Sequence, residues 1–241
     1  MVVLTKTDVG KLREMNQDAF YISDENAELK LYILADGMGG YKGGEVASKL
    51  AIIEVVKVIE DKFSQIEKNE KEILNLIEEA IEKANHVICE EASKDESLKD
   101  MGTTIEVCIV YGNKIYIGHV GDSRVYRIRK NIIRRLTTDH SYVQKLIKDG
   151  TITKEEAKNH PKKNMITKAM GYPGLVKPDL LYKGFLKDDI ILICSDGLTN
   201  MVSEEEIYNT IQNDECANEK LVEMANQAGG YDNITLIILK K

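Results

Sequence analysis

Four aspartates stand at the ends of apolar runs that have the length of β-strands, and each has glycine close by. They are Asp36 after residues 31–35, Asp122 after 115–120, Asp196 after 190–194 and Asp232 before 234–239. A carboxylate at the end of a buried strand is costly unless it is paired, hydrogen-bonded or bound to metal. Any one of them could be an ordinary turn residue, since Asp-Gly is a common turn dipeptide. As a set, they predict carboxylates that approach a common point, where a cation must lie between the like charges.

The residue types favour a hard metal ion. Carboxylate ligands without histidine or cysteine favour Mg²⁺ or Mn²⁺ over zinc. The four cysteines contain no CxxC pair, which argues against a zinc site and a disulfide framework. His86 and His140 are expected to be solvated or structural, and His119 to be a core or supporting residue. Near the N-terminus, Arg13 could grip a phosphate through two parallel hydrogen bonds, although an arginine taken alone is most simply a solvated surface residue.

Two long helices and several strands must position these residues. Apolar residues recur at helical spacing over 44–63 and 70–92, and Asn69 with Glu72 resembles a capping box at the second helix. We expect the runs 114–120 and 124–129 to pair as a hairpin. The order of strands, two helices and more strands predicts an α+β fold in which packed sheets are covered by helices. The predicted strands are 19–22, 30–35, 104–111, 114–120, 124–129, 189–194 and 234–239.

Composition excludes several classes of protein. The 241 residues carry 40 acidic and 33 basic side chains, a net charge of −7, so nucleic acid is not an expected partner. The sequence shows no signal peptide and no apolar run of membrane-spanning length, so we expect a cytoplasmic protein with no membrane partner. No Pro/Ser-rich linker or repeat divides the chain, which predicts one domain over residues 1–241.

Residues 140–175 differ from the rest of the chain. Thr153 with Glu156 forms a capping-box pattern, short helical segments surround Gly150, and the prolines and glycines that follow resist regular structure. We therefore expect this stretch to be a surface insertion, or flap, rather than part of the core.

Five segments, taken together, resemble the ordered motifs of the protein phosphatase 2C family, which are metal-dependent serine/threonine phosphatases. They are residues 10–18 (GKLREMNQD), 36–40 (DGMGG), 121–124 (GDSR), 195–197 (SDG) and 230–233 (GYDN). The resemblance spans residues 8–236, and residues 160–164 (HPKKN) with 36–40 are similar to the compact bacterial branch. It implies a central β-sandwich of two antiparallel sheets flanked by antiparallel helices, in four αββα layers.

Position by position, the resemblance implies a metal centre with two core ions. Asp36 resembles the carboxylate that bridges both ions, and Asp196 and Asp232 resemble ligands of the first. The carbonyl of Gly37 resembles a ligand of the second ion, and Asp18 resembles the residue that holds this ion partly through water. The implied ions are Mn²⁺ or Mg²⁺.

The resemblance also implies a third, weaker ion and a phosphate clamp. Asp122 resembles a ligand of the third ion, which it shares with Asp196, and Arg13 resembles the clamp. Residues 140–175 match the position of the family's flap. Larger eukaryotic members carry histidine directly after the Asp-Gly pair, whereas this sequence has Met38, which cannot transfer a proton. Water must then protonate the leaving group.

The expected activity is hydrolysis of phosphoserine and phosphothreonine in proteins by a metal-activated water. The residues themselves indicate metal-dependent phosphoryl chemistry, and the resemblance implies the protein substrates. We expect a monomer whose partners are phosphorylated proteins, including a Ser/Thr protein kinase that it opposes. Two alternatives remain open: a hydrolase of small phosphate esters or nucleotides, and a non-catalytic module on the same fold. The second is disfavoured because every expected aspartate is present.

Overall fold

In the computed structural model, which describes residues 1–174 and 176–241, two antiparallel β-sheets pack face to face. The first sheet has the strand order β1-β11-β10-β7-β8, and the second has the order β2-β3-β5-β6-β9 with β4 paired to β3. The strands are β1 Val2–Asp8, β2 Asp18–Ile22, β3 Lys30–Met38, β4 Gly102–Thr103, β5 Ile105–Tyr111, β6 Lys114–Val120, β7 Arg124–Arg129, β8 Ile132–Arg135, β9 Asp179–Gly184, β10 Ile190–Cys194 and β11 Ile234–Lys240.

Helices cover the outer face of each sheet. The long pair α1 and α2 packs on the second sheet, and α6 and α7 pack on the first. This arrangement confirms the predicted four-layer α+β fold. The helices are α1 Gly40–Phe63, α2 Glu70–Lys94, α3 Tyr142–Lys148, α4 Lys154–Lys158, α5 Asp196–Thr199, α6 Glu204–Asn213 and α7 Ala217–Gln227, with a 3₁₀ turn at Glu96–Leu98.

Strand β3 shows why the predicted strands read as unbroken apolar runs. Leu31 and Ile33 pack into the layer beneath α1 and α2, whereas Tyr32 and Leu34 pack between the two sheets. Successive side chains point to opposite faces of a strand, and both faces here are covered. Burial on two sides therefore replaces the alternating pattern of a half-exposed strand with a continuous one.

The predicted hairpin of 114–120 with 124–129 is wrong. β6 pairs with β5 and β9 in the second sheet, whereas β7 pairs with β10 and β8 in the first. The connection at residues 121–123 carries the chain across from one sheet to the other. Both strands bury apolar residues on each of their faces, so the sequence pattern suits either sheet and cannot distinguish a hairpin from a crossing. Asp122 consequently lies at the end of the sandwich, between the sheets.

Residues 140–174 leave the sandwich and return to it. Helices α3 and α4 lie in this excursion, and Thr153 and Glu156 form the predicted reciprocal capping box. The Asn69 side chain caps α2 by accepting from the amide of Glu72. Residue 175, the last of the predicted flap, lies outside the described residues. None of the helices described is long and apolar enough to cross a membrane.

Candidate active site

Carboxylates from both sheets meet at one end of the sandwich. Asp18 and Asp36 are directly opposite each other in the register of β2 and β3, so their side chains lie on the same face of the sheet. Asp36 continues the side of β3 that carries Tyr32 and Leu34, which is the side that faces the other sheet. Asp196 follows β10 and Asp232 precedes β11, so the first sheet contributes its carboxylates at the same end.

A cleft of about 920 Å³ opens over this cluster. It is lined by Asp36, Asp122, Asp196 and Asp232 together with residues from the 164–174 part of the excursion. Asp18 lies behind the cleft, where Ser195 Oγ donates to its Oδ2 at 2.8 Å. The structure thus brings together every aspartate that the sequence analysis singled out.

Burial and mutual repulsion dominate the electrostatics of the cluster. Burial, followed by the charges of neighbouring aspartates, raises the pKa of Asp36 well above its usual range. The same two causes raise the pKa of Asp122 to about 8, that of Asp196 to about 6 and that of Asp18 to about 7. Without a cation, the cluster can therefore hold its carboxylates together only by keeping protons.

The donor set fits a hard divalent ion. No three of the His, Cys, Asp and Glu side chains in the described ranges are already arranged as a metal-binding group. However, the buried Oδ1 of Asp18 has no hydrogen-bond partner, and a cation among the aspartates would relieve the repulsion that raises their pKa values. All these donors are oxygen atoms, as Mg²⁺ and Mn²⁺ prefer.

Gly37 lines the same cleft and has no room for a side chain. A Cβ atom there would lie 2.1 Å from the carbonyl oxygen of Gly44 and 2.6 Å from that of Gln17. The amide of Gly37 donates to the Gln17 carbonyl at 3.2 Å. Glycine at this position therefore lets three backbone segments approach beside Asp36, which is the local reason for the Asp-Gly pair.

A hydroxyl network that the sequence analysis did not foresee holds Asp36 in place. The amide of Asp36 donates to Thr104 Oγ1 at 3.0 Å, and its carbonyl accepts from the Thr104 amide and from Thr103 Oγ1, both at 2.9 Å. Thr104 Oγ1 also lies 2.9 Å from Ser123 Oγ, next to Asp122. These side chains tie the end of β3, which carries Asp36, to the connection at residues 121–123, which carries Asp122.

Asn233 performs a similar task for the N-terminal segment that carries Arg13. Its Oδ1 accepts from the amide of Gln17 at 2.8 Å, and its Nδ2 donates to the carbonyls of Val9 and Met15 at 2.9 and 3.0 Å. A buried amide that makes three bonds to backbone specifies one path for that segment. Its position directly after Asp232 was the available sequence signal.

Arg13 reaches the edge of the carboxylate cluster. Its Nη2 donates to Asp232 Oδ2 at 2.8 Å, and its side chain is 51% exposed. The guanidinium lines the acidic cleft together with Met38. Arg13 is therefore not an isolated surface residue, and the remaining exposure leaves donors available to an anion that enters the cleft.

Behind the cleft, Glu106 and His119 form a fully buried pair on adjacent strands. His119 Nδ1 is hydrogen-bonded to Glu106 Oε1, and its Nε2 donates to the carbonyl of Thr138 at 2.9 Å. Burial raises the pKa of Glu106 to about 7. Burial lowers the pKa of His119, but the charge and hydrogen bond of Glu106 outweigh it and raise the pKa overall. The pair thus retains one proton, and the prediction that His119 lies in the core is confirmed.

Comparison with known proteins shows the family to which the chain belongs. A sequence model of the family described as Protein phosphatase 2C matches residues 11–229. The chain is 36% identical to the serine/threonine phosphatase stp of Listeria innocua, over 98% of this chain and 94% of that protein. The crystal structure of a Streptococcus agalactiae serine/threonine phosphatase superposes with a TM-score of 0.90 at 36% identity, covering 100% of this chain and 99% of that one. The catalytic domain of the protein phosphatase PstP, in complex with two manganese ions, superposes with a TM-score of 0.85 at 33% identity, covering 98% and 96%.

Proposed function

The chain belongs to the protein phosphatase 2C family, and from this premise we propose how its acidic cleft hydrolyses phosphoserine and phosphothreonine in proteins. The observation that carries the proposal is the convergence of buried carboxylates from both sheets beside a half-exposed arginine. Such a site combines ligands for divalent cations with a cationic group for phosphate. Divalent ions bound there supply the charge that neutralises phosphoryl oxygens and lowers the pKa of the attacking water.

The two core ions are assigned to five residues. Asp36 would contribute to both ion sites, since it feels the charges of all the other aspartates of the cluster. Asp196 and Asp232 would hold the first ion, and the carbonyl of Gly37 with Asp18 would hold the second. Mn²⁺ is the ion that the PstP structure contains, and Mg²⁺ suits the same oxygen ligands.

The remaining assignments concern Asp122, Arg13 and the excursion. Asp122 would share a third, weaker ion with Asp196, because burial and then the charge of Asp196 raise the pKa of Asp122. Arg13 turns its exposed donors to the phosphate and orients it for in-line attack. Met38 lines the cleft where a proton donor would be needed, so solvent water protonates the leaving group. Residues 140–175 act as a flap over one wall of the cleft.

The cellular setting is proposed from the same premise. The substrates are phosphorylated proteins, among them a Ser/Thr protein kinase whose action the enzyme reverses. We propose that the chain works as a monomer with a single catalytic domain over residues 1–241, and the cytoplasmic location expected from the sequence stays a prediction.

The test is phosphate release from a phosphothreonine peptide, a phosphoserine peptide and two small phosphate esters, each with Mn²⁺ and with excess chelator. We expect turnover of the peptides in Mn²⁺ and its loss with chelator. Preference for a nucleotide or sugar phosphate by kcat/KM would instead support the small-ester hydrolase. Binding of phosphopeptide without turnover in Mn²⁺ or Mg²⁺ would support a non-catalytic module.

A further inference from the structure

His140, the first residue of the flap, binds both backbone polar groups of Gly121, beside the carboxylate cluster. Its amide donates to the carbonyl of Gly121 at 2.7 Å, and the amide of Gly121 donates to the Nδ1 atom of the His140 ring at 3.0 Å. The side chain of His140 is only 12% exposed. A single histidine thus accepts from and donates to the residue that immediately precedes Asp122.

Gly121 needs such a restraint because its backbone is unusual. Its φ is +118°, and a Cβ atom there would lie 2.5 Å from the Thr104 side chain. Glycine is the residue that adopts this conformation without steric cost, but it also has the most conformational freedom to lose. The direction of Asp122, whose residue is 9% exposed, depends on how firmly this turn is held.

Two further groups lie against the ring of His140. It stacks on the ring of His119 at a centroid distance of 4.6 Å. Its Nε2 lies 3.2 Å from Asp179 Oδ1, and Lys168 Nζ donates to the same oxygen at 3.1 Å. Since Nδ1 accepts a hydrogen bond, the ring proton must be on Nε2, where it faces Asp179. Burial, followed by the charges of His119 and Lys168, lowers the pKa of His140 to about 4, which keeps the ring neutral.

His140 also joins this turn to the far end of the flap. Its carbonyl accepts from the amide of Thr167 at 2.7 Å, and Ser141 forms a β-bridge with Ile166. Residues 166–167 of the flap therefore close on its first residue, which holds Gly121. A change in the flap can reach Asp122 through this one residue, whose backbone contacts the flap and whose ring and amide hold Gly121.

We infer that His140 is a positioning residue: its neutral Nδ1 fixes the Gly121–Asp122 turn and couples the weaker metal site to the flap. The inference rests on the proposed role of Asp122 as a ligand of the third ion. His140 does not contact substrate or metal in this scheme. It acts through the orientation of Asp122.

Two isosteric substitutions separate this role from general support of the fold. In His140→Asn the side-chain Oδ1 can take the place of Nδ1 as acceptor, whereas in His140→Gln the polar atoms reach only the Nε2 position, towards Asp179. We expect His140→Asn to keep Mn²⁺ affinity at the weakest site within about threefold of wild type. We expect His140→Gln to lose about tenfold or more at that site, because a buried amide is left without an acceptor, while the tighter sites are unchanged.

The measurements are a Mn²⁺ binding isotherm followed by electron paramagnetic resonance and amide hydrogen exchange of Gly121. Exchange at Gly121 should be slow in wild type and His140→Asn and fast in His140→Gln. His86→Gln, at a histidine side chain that is 76% exposed on α2, serves as the matched control and should change neither. Equal behaviour of the Asn and Gln variants in both measurements would overturn the inference.

Two further observations keep the result decisive. Nitrogen-15 spectra of the wild-type protein should show His140 with Nδ1 unprotonated, and a protonated Nδ1 would refute the inference without any variant. Asp122→Asn should abolish the weakest Mn²⁺ site. If it does not, the proposed role of Asp122 is wrong and that of His140 falls with it. If it does, but His140→Gln binds Mn²⁺ like wild type, only the inference about His140 fails.

Discussion

Replacing Arg13 by alanine separates two roles that the structure allows for this side chain. Arg13 is paired with Asp232 at 2.8 Å and is 51% exposed. If it only supports Asp232, its loss costs at most about 1 kcal/mol, as for other exposed ion pairs, or about fivefold in Mn²⁺ affinity. If it grips the phosphate, each lost hydrogen bond to a charged group costs about 1.5–3 kcal/mol. That loss corresponds to about 10- to 150-fold in kcat/KM.

The assay is kcat/KM on a phosphothreonine peptide at saturating Mn²⁺, alongside a Mn²⁺ titration. We expect Arg13→Ala to lower kcat/KM by about 10- to 150-fold and Mn²⁺ affinity by no more than about fivefold. Arg13→Lys should recover only part of the loss, because an ammonium lacks the fork geometry of a guanidinium. Lys11→Ala removes a positive charge two residues away and should behave like wild type. An unchanged kcat/KM in Arg13→Ala would refute the clamp, and a loss explained wholly by weaker Mn²⁺ binding would leave Arg13 as a support of Asp232.

The carboxylate cluster, the buried pair behind it and the helix–sheet packing each give a further expected outcome. Asp36→Asn should lose most phosphatase activity and most of the rise in melting temperature that Mn²⁺ causes in wild type. Without metal, the variant should melt at or above the wild-type temperature, because one repelling charge is gone. Activity within a few-fold of wild type would contradict the bridging role. The pKa of Glu106 is raised in the folded state to about 7. The proton on Glu106 therefore contributes its full stabilisation below the ordinary pKa of 4.5, and this contribution is lost as the pH rises through 7. The measurement is the free energy of unfolding in chemical denaturation without metal, for wild type and for Glu106→Gln. The wild-type value minus the variant value should fall, on the order of 1–3 kcal/mol, between about pH 5 and 8. A difference that rises or stays constant with pH would show that the Glu106–His119 pair does not retain its proton. Gly118→Ala would place a Cβ 2.3 Å from Ile77 Cγ2 between β6 and α2. Urea unfolding should therefore show a free energy of unfolding about 1–3 kcal/mol below that of wild type, because of overpacking. The control Gly184→Ala, where the nearest atom would be 3.6 Å away, should lose about 0.5 kcal/mol or less.

The sequence predicted those parts of the fold whose pattern depends on burial alone. The runs at 30–35 and 189–194 became β3 and β10 because both faces of each strand are covered, and α1 and α2 followed from their apolar spacing. The partners of β6 and β7 were not predictable in this way. When a strand buries apolar residues on both faces, its sequence does not indicate which sheet it joins. The short crossing at residues 121–123 alone places β6 and β7 in different sheets.

The site was predicted as far as charged residues at strand ends could reveal it. Asp36 and Asp196 stood out because a buried carboxylate needs a partner, and the two lie in one cluster. Thr104 and Ser123 did not stand out, since their contact joins residues 19 positions apart and hydroxyl side chains occur throughout any sequence. His140 was expected to be solvated or structural, and its specific task was not foreseen because it too contacts a residue 19 positions away, the backbone of Gly121 beside Asp122.

The most direct test of the metal centre is an anomalous diffraction map from crystals grown with Mn²⁺, recorded near the manganese absorption edge. We expect two strong peaks at the end of the sandwich, both in contact with Asp36. One should also contact Asp196 and Asp232, and the other the carbonyl of Gly37. A weaker third peak should lie beside Asp122. The control is that protein dissolved from the same crystals releases phosphate from the phosphothreonine peptide. If it does, and saturating Mn²⁺ gives no anomalous peak at Asp36, this carboxylate cluster is not the catalytic metal centre.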